Sequence, residues 1–136
     1  MTDRPTKSHE YVFLLAKNSH YYYDADAASE VVLTEGAEAG SRPKQEKRNR
    51  RTVLSINCYP SPESHFATYP IQLPELCIRA GSPEDGVVLD PFSGAGTTGL
   101  ACLKTNRRYL GIELNPEYVQ IAYRRARKHY SLLLAA

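Results

Sequence analysis

The chain has 136 residues, with 17 Lys and Arg against 15 Asp and Glu for a net charge of +2; this is one small domain with one core, and not the heavily basic composition that by itself marks a nucleic-acid binder. Cys58, Cys77 and Cys102 are odd in number and form no C-x-x-C pair, which argues against a disulfide framework or a zinc site and for reduced intracellular thiols. No apolar run approaches the roughly 20 residues of a membrane helix and the start has no secretory apolar stretch, so a soluble, cytoplasmic protein is expected.

Residues 10–16, EYVFLLA, are an apolar run rich in β-formers, followed by the polar turn Lys17-Asn18-Ser19-His20 and then Tyr21-Tyr22-Tyr23. The pattern predicts a β-hairpin with one buried strand. The tyrosines suit ordinary packing better than a base-stacking surface, because consecutive strand residues face opposite sides. Residues 29–51 turn polar, rich in Gly, Ala and Glu and then in Lys and Arg, and are expected to form a long loop. Its basic end, with Arg48, Arg50 and Arg51, either neutralises backbone phosphates or is a solvated surface.

Residues 52–57, TVLSIN, read as a strand ended by Tyr59-Pro60-Ser61-Pro62. Residues 74–80 open with Pro74, precede Gly81 and read as a short helix. Val87-Val88-Leu89 reads as a buried strand, residues 97–105 as a helix and residues 108–114, RYLGIEL, as a second strand. Asn115-Pro116-Glu117 then opens a helix, with Asn at the N-cap, Pro at N1 and an acid in the first turn. Tyr118, Ile121, Ala122 and Ala126 recur at helical spacing, and Arg124, Arg125, Arg127 and Lys128 lie toward the end where the dipole favours cations.

Between the first of these two strands and its helix stands Leu89-Asp90-Pro91-Phe92-Ser93-Gly94-Ala95-Gly96-Thr97-Thr98-Gly99. The G-x-G-x-x-G within it gains meaning from its βαβ setting and from Glu113 about 20 residues on, placed to accept hydrogen bonds from a ribose diol. The same glycines would also serve a plain tight turn. An adenosine-containing cofactor is the better reading, and a P-loop is excluded because Leu100-Ala101, not Lys-Ser or Lys-Thr, follows Gly99. Asp90 separates the remaining options: its carboxylate repels the pyrophosphate of NAD and attracts the ammonium of S-adenosylmethionine, with Phe92 as an apolar wall beside a sulfonium.

Asp90-Pro91-Phe92-Ser93-Gly94-Ala95-Gly96-Thr97-Thr98 resembles the S-adenosylmethionine-binding motif of the amino-group DNA methyltransferases, which methylate adenine N6 or cytosine N4. His65-Phe66-Ala67-Thr68-Tyr69-Pro70 with Leu73 resembles the segment that precedes this motif in the permuted, β-type order; the resemblance implies that His65 closes the methionine end. Gly111-Ile112-Glu113-Leu114-Asn115 with Tyr118 resembles the ribose-binding motif. Pro5-Thr6-Lys7-Ser8-His9-Glu10-Tyr11 resembles the region just downstream of the catalytic loop. The implied fold is α/β, a Rossmann-like S-adenosylmethionine-dependent methyltransferase fold, incomplete, with a cofactor-binding βαβ half plus an N-terminal β-hairpin. It is one partial domain, with a hairpin region (1–28), a basic loop (29–51) and a cofactor half (52–136). The implied cofactor set is His65, Asp90, Pro91, Phe92, Ser93, Gly94, Gly96, Thr97, Thr98, Glu113 and Asn115, and the implied substrate is double-stranded DNA, as in restriction-modification; the resemblance does not extend to the loop around residues 29–50, and Arg48, Arg50 and Arg51 are expected at the phosphates from the charge run alone.

The family's catalytic loop reads Asp, Asn or Ser, then Pro-Pro and an aromatic residue, and no such run occurs in this sequence. In the permuted order that loop precedes the segment with which the chain begins, so the chain resembles the C-terminal portion of a methyltransferase. The strand leading to the loop would lie beside residues 87–89; without it an apolar edge is unpaired, and either self-association or a second chain that supplies the missing strands is expected. A noncatalytic S-adenosylmethionine-binding or regulatory module is the alternative from a different class, and an NAD-dependent oxidoreductase is the reading that Asp90 opposes.

Overall fold

Two short parallel strands, each followed by a helix, form the centre of the computed structural model, which describes residues 9–34, 44–57 and 69–134. The elements in chain order are α1 (Ala25–Ala28), β1 (Glu30–Thr34), β2 (Lys44–Arg48), α2 (Gln72–Gly81), β3 (Val87–Asp90), α3 (Thr97–Thr105), β4 (Arg108–Gly111) and α4 (Pro116–Leu134). The architecture is α/β of the Rossmann-like kind: strand, glycine loop, helix, parallel strand, helix.

Strands β3 and β4 pair in register Val87↔Arg108, Val88↔Tyr109, Leu89↔Leu110 and Asp90↔Gly111. Alternation sends Val88 and Tyr109 to one face, where they pack on Ile78 of α2 and on Ala101 and Cys102 of α3. Ala101 and Cys102 are fully buried, and small side chains there let α3 lie close to both α2 and the sheet. An ion pair between Lys104 and Glu75, 2.8 Å apart, joins the two helices at the surface. Helix α3 ends at Asn106, whose left-handed φ of 56° closes the turn back into β4.

Helices α3 and α4 begin where the sequence places them. The side chain of Asn115 accepts the N–H of Glu117 at 2.9 Å, the N-cap bond that fixes the start of α4 at Pro116. Helix α2 starts two residues before Pro74, because the turn at Pro70, with Leu73 N–H donating to its carbonyl at 3.0 Å, already sets the helical direction.

Three expectations are corrected. Residues 9–23 contain no strand, only a bend at residues 17–19, and the hairpin expected there is absent. Tyr11, Val12, Phe13, Leu14 and Leu15 are exposed, and Tyr21, Tyr22 and Tyr23 are about half-exposed rather than packed; a lone two-stranded ribbon is marginal without a face to bury, and among the described residues none buries these side chains. The antiparallel pair lies instead within the stretch expected to be a long loop: β1 and β2 pair from Glu30↔Arg48 to Thr34↔Lys44. Its first strand, Glu-Val-Val-Leu-Thr, has strand composition that the polar stretch around it concealed, and the ladder and a Glu30–Arg48 ion pair of 2.8 Å join it to β2. Residues 52–57 form no strand either. Leu54, Ser55, Ile56 and Asn57 instead line, with Arg50, Gln72 and Leu76, an open cavity of about 330 Å³ against α2.

Candidate functional site: the glycine loop between β3 and α3

The loop is built from the conformations that its glycines permit. Gly94 and Gly96 have φ of 52° and 76°, left-handed values that other residues reach only at a cost. At Gly94 an added Cβ would meet nothing within 4 Å, so the backbone borders open space; at Gly96 it would stand 2.7 Å from the Cβ of Ala122, so α4 closes on the loop from behind. Gly99 lets α3 lie on the ring of Tyr109, whose Cε1 would be 2.9 Å from an added Cβ. The three glycines thus serve a turn, a close helix approach and helix-to-strand packing.

Glu113, just past β4, latches this loop. One carboxylate oxygen accepts the N–H of Gly94 and the other the N–H of Asn115, both at 2.8 Å. These bonds, Asn115's foremost, hold its carboxyl below the usual glutamate range. An ionised carboxylate offers about four acceptor positions, and with the N–H of Leu114 also facing this one, a position remains for a hydroxyl donor.

Asp90 sits at the tip of β3 on the face shared with Val88. Its Oδ1 accepts the N–H of Phe92 at 3.0 Å, and its Oδ2 accepts the hydroxyl of Thr98 at 2.6 Å. Thr97 and Thr98 are buried; they shape the loop from inside. Ser93 hydrogen-bonds the Tyr109 hydroxyl at 2.6 Å, while Pro91 and Phe92 are exposed, Phe92 at 87%. Arg125 reaches back from α4 to donate to the carbonyl of Ala95 at 2.6 Å.

Asp90, Ser93, Gly94, Gly96, Thr97, Thr98, Glu113 and Asn115 are therefore brought together around one loop, with Phe92 at its tip. His65 lies outside the described residues. The arginines expected at phosphates are a separate group: Arg48 pairs with Glu30, Arg50 donates to the carbonyls of Ala28 and Ser29 at 2.9 and 3.1 Å, and Arg51 is exposed. Tyr69, Tyr109 and Arg125 are participants that the sequence does not single out. Arg125 has a signal, since it follows Ile121 and Ala122 at helical spacing and so shares their inward face. Tyr109 has one too, since it alternates out of phase with Arg108 and Leu110. Among the described residues no group of His, Cys, Asp and Glu is arranged to hold a metal, and no helix is long and apolar enough to cross a membrane.

A parallel βαβ unit with a glycine loop latched by an acid defines a nucleotide-cofactor class, and comparison with known proteins gives the family. The DNA methylase family model matches residues 1–124, and the chain belongs to that family. It is similar to Type II methyltransferase M.SmaI of Serratia marcescens, 50% identical over 123 residues that cover 90% of this chain and 39% of that protein. Type II methyltransferase M.Cfr9I of Citrobacter freundii is 47% identical over 123 residues, covering 90% of this chain and 38% of its own length. The chain thus spans about two fifths of the curated relatives it matches. Among solved structures, the cytosine-N4-specific PvuII DNA methyltransferase aligns at 38% identity with a TM-score of 0.43, over 45% of this chain and 22% of that one.

Proposed function

We propose that the loop from Asp90 to Thr98, with Glu113, binds S-adenosylmethionine, and that the chain supplies the methyl-donor site of a site-specific DNA methyltransferase acting on adenine N6 or cytosine N4. The carrying observation is the loop itself: an acid at the strand tip, two left-handed glycines with open space beside Gly94, and Glu113 fastened to the loop's backbone. These residues fit the cofactor. Asp90 would take the ammonium, Glu113 a ribose hydroxyl with the acceptor position that Gly94, Asn115 and Leu114 leave, and Phe92 and Pro91 an apolar side. S-adenosylmethionine, once bound, supplies an electrophilic methyl group. The chain's own work is to hold and orient: Ser93–Tyr109, Arg125–Ala95 and Glu113–Gly94 fix the loop before the cofactor arrives, which reduces the ordering cost of binding.

A base amine is a weak nucleophile and must be flipped out and oriented, work that no Pro-Pro-aromatic run in this sequence performs. We assign it to residues outside this sequence, in a complete enzyme or a second chain. Double-stranded DNA is the substrate, with Arg51 and the unspent donors of Arg48 and Arg50 against its phosphates; such contacts position without reading sequence. The reading puts the protein in the cytoplasm, with the DNA. The absence of an amine-orienting run favours a second reading, a noncatalytic S-adenosylmethionine-binding module. Calorimetric titration with S-adenosylmethionine tests the first step: saturable binding is expected, and Asp90→Ala, checked for folding by circular dichroism, is expected to lose it. A folded wild-type chain that takes up no cofactor refutes the reading. Methyl transfer to DNA after addition of the complementary half separates the enzyme from the module.

A further inference from the structure

The hydroxyl of Thr98 lies 2.6 Å from Asp90 Oδ2 and also 2.6 Å from the hydroxyl of Tyr69. A threonine hydroxyl has one proton, and an ionised carboxylate only accepts. With the Thr98 proton committed to Asp90, the proton of the second bond comes from Tyr69, and the chain of donors runs Tyr69 to Thr98 to Asp90. Tyr69 stands two residues before the N-cap of α2, far in sequence from the loop it touches, and Thr98 is 8% exposed. Thr98 is the second residue of α3, with no helical turn before it whose carbonyl could take its hydroxyl, and a β-branched side chain has few rotamers to choose from. The Tyr69 donor holds Thr98 toward Asp90, and successive donors polarise one another.

Resting on the S-adenosylmethionine reading, we infer that Tyr69 is a positioning residue for Asp90, acting through Thr98, and that this sets the selectivity of the site for adenosine compounds carrying an α-ammonium group over those without one. Phe at this position keeps the ring and removes the donor; Thr98→Val removes the link.

The test is calorimetry of the chain with two probes, S-adenosylhomocysteine, which has the amino-acid moiety, and 5′-methylthioadenosine, which lacks it. Tyr69→Phe is expected to weaken the first about three- to tenfold, the range of one ordinary hydrogen bond, and to leave the second unchanged. In a Thr98→Val background the same change is expected to do nothing further. Equal weakening of both probes, or additive effects of the two substitutions, overturns the inference and leaves Tyr69 a plain packing residue. Should Tyr69→Phe fold poorly in a thermal melt, Tyr69→Leu in the wild-type and Thr98→Val backgrounds decides instead: a ratio of the two affinities shifted against S-adenosylhomocysteine in the first background alone supports the relay, and an equal shift in both, or none, refutes it. A wild-type chain that binds neither probe refutes the cofactor reading on which the inference rests.

Discussion

Gly96 carries two constraints at once, a left-handed φ of 76° and the Ala122 Cβ of α4, which would stand 2.7 Å from an added Cβ, whereas Gly94 carries only the first. Gly96→Ala is therefore expected to cost about 3 kcal/mol, from backbone strain plus displacement of Ala122. Gly94→Ala is expected to cost about 1 kcal/mol, from strain alone. Urea unfolding of the two variants measures the difference, and equal costs would mean that α4 does not close on the loop. Both glycines are legible in the sequence because a positive φ is a local demand that only a few residue types meet. Arg125 is legible only as a residue of the inward face of α4, and its partner is not. Its charge suits the helix dipole wherever it sits, and only the packing of α4 shows that the guanidinium holds the carbonyl of Ala95.

At the scale of elements, the loop after β3 and the segment after β4 are joined by a backbone bond from Ser93 N–H to the Ile112 carbonyl at 3.0 Å and by the carboxylate of Glu113. Glu113's carboxyl lies below its ordinary value of 4.5, chiefly through the Asn115 N–H and then those of Gly94 and Leu114, with desolvation opposing. A depressed folded value means that the unfolded chain binds more protons in that window. The contribution is therefore complete above pH 4.5 and is lost as the pH falls through the lowered value. Thermal melts of wild type and Glu113→Gln between about pH 6 and pH 3 read this directly, since Gln does not titrate. The wild type is expected to lose more of its melting temperature on acidification than the variant does. Parallel acid limbs would show that the latch contributes nothing to stability. The same scale explains the strands that lie elsewhere than expected. Residues 10–16 have strand composition but no ladder among the described residues, while Glu30–Thr34 and Lys44–Arg48, set in a polar stretch, have a complete one.

At the scale of the molecule, the described residues cover the parallel sheet on one face only. Val87, Leu89 and Leu110 are each 56% exposed and Ile112 is 51% exposed, all on the face opposite α2 and α3. Parallel sheets are ordinarily buried on both faces, and an apolar face of this kind seeks a cover. The chain alone is expected to self-associate in sedimentation velocity as its concentration rises, and Leu89→Lys with Leu110→Lys is expected to return it to a monomer. A wild-type chain that sediments as a monomer at all concentrations would mean that the open face needs no partner.

By itself the sequence determined the βαβ order, the glycine loop, the acid that latches it and the cap that starts α4. The loop and the cap are written within a few consecutive residues, as a required φ or a side chain that reaches its own backbone; the strands and helices are written as hydrophobic periods, and the acid by its spacing of 19 residues from Gly94. Only the tertiary structure decided which apolar runs become strands, and that Tyr69 and Arg125 belong to the loop. A strand exists through hydrogen bonds to a partner ladder, and a relay exists through two side chains brought together from 29 residues apart. Neither condition is local, so neither is visible until the chain has folded.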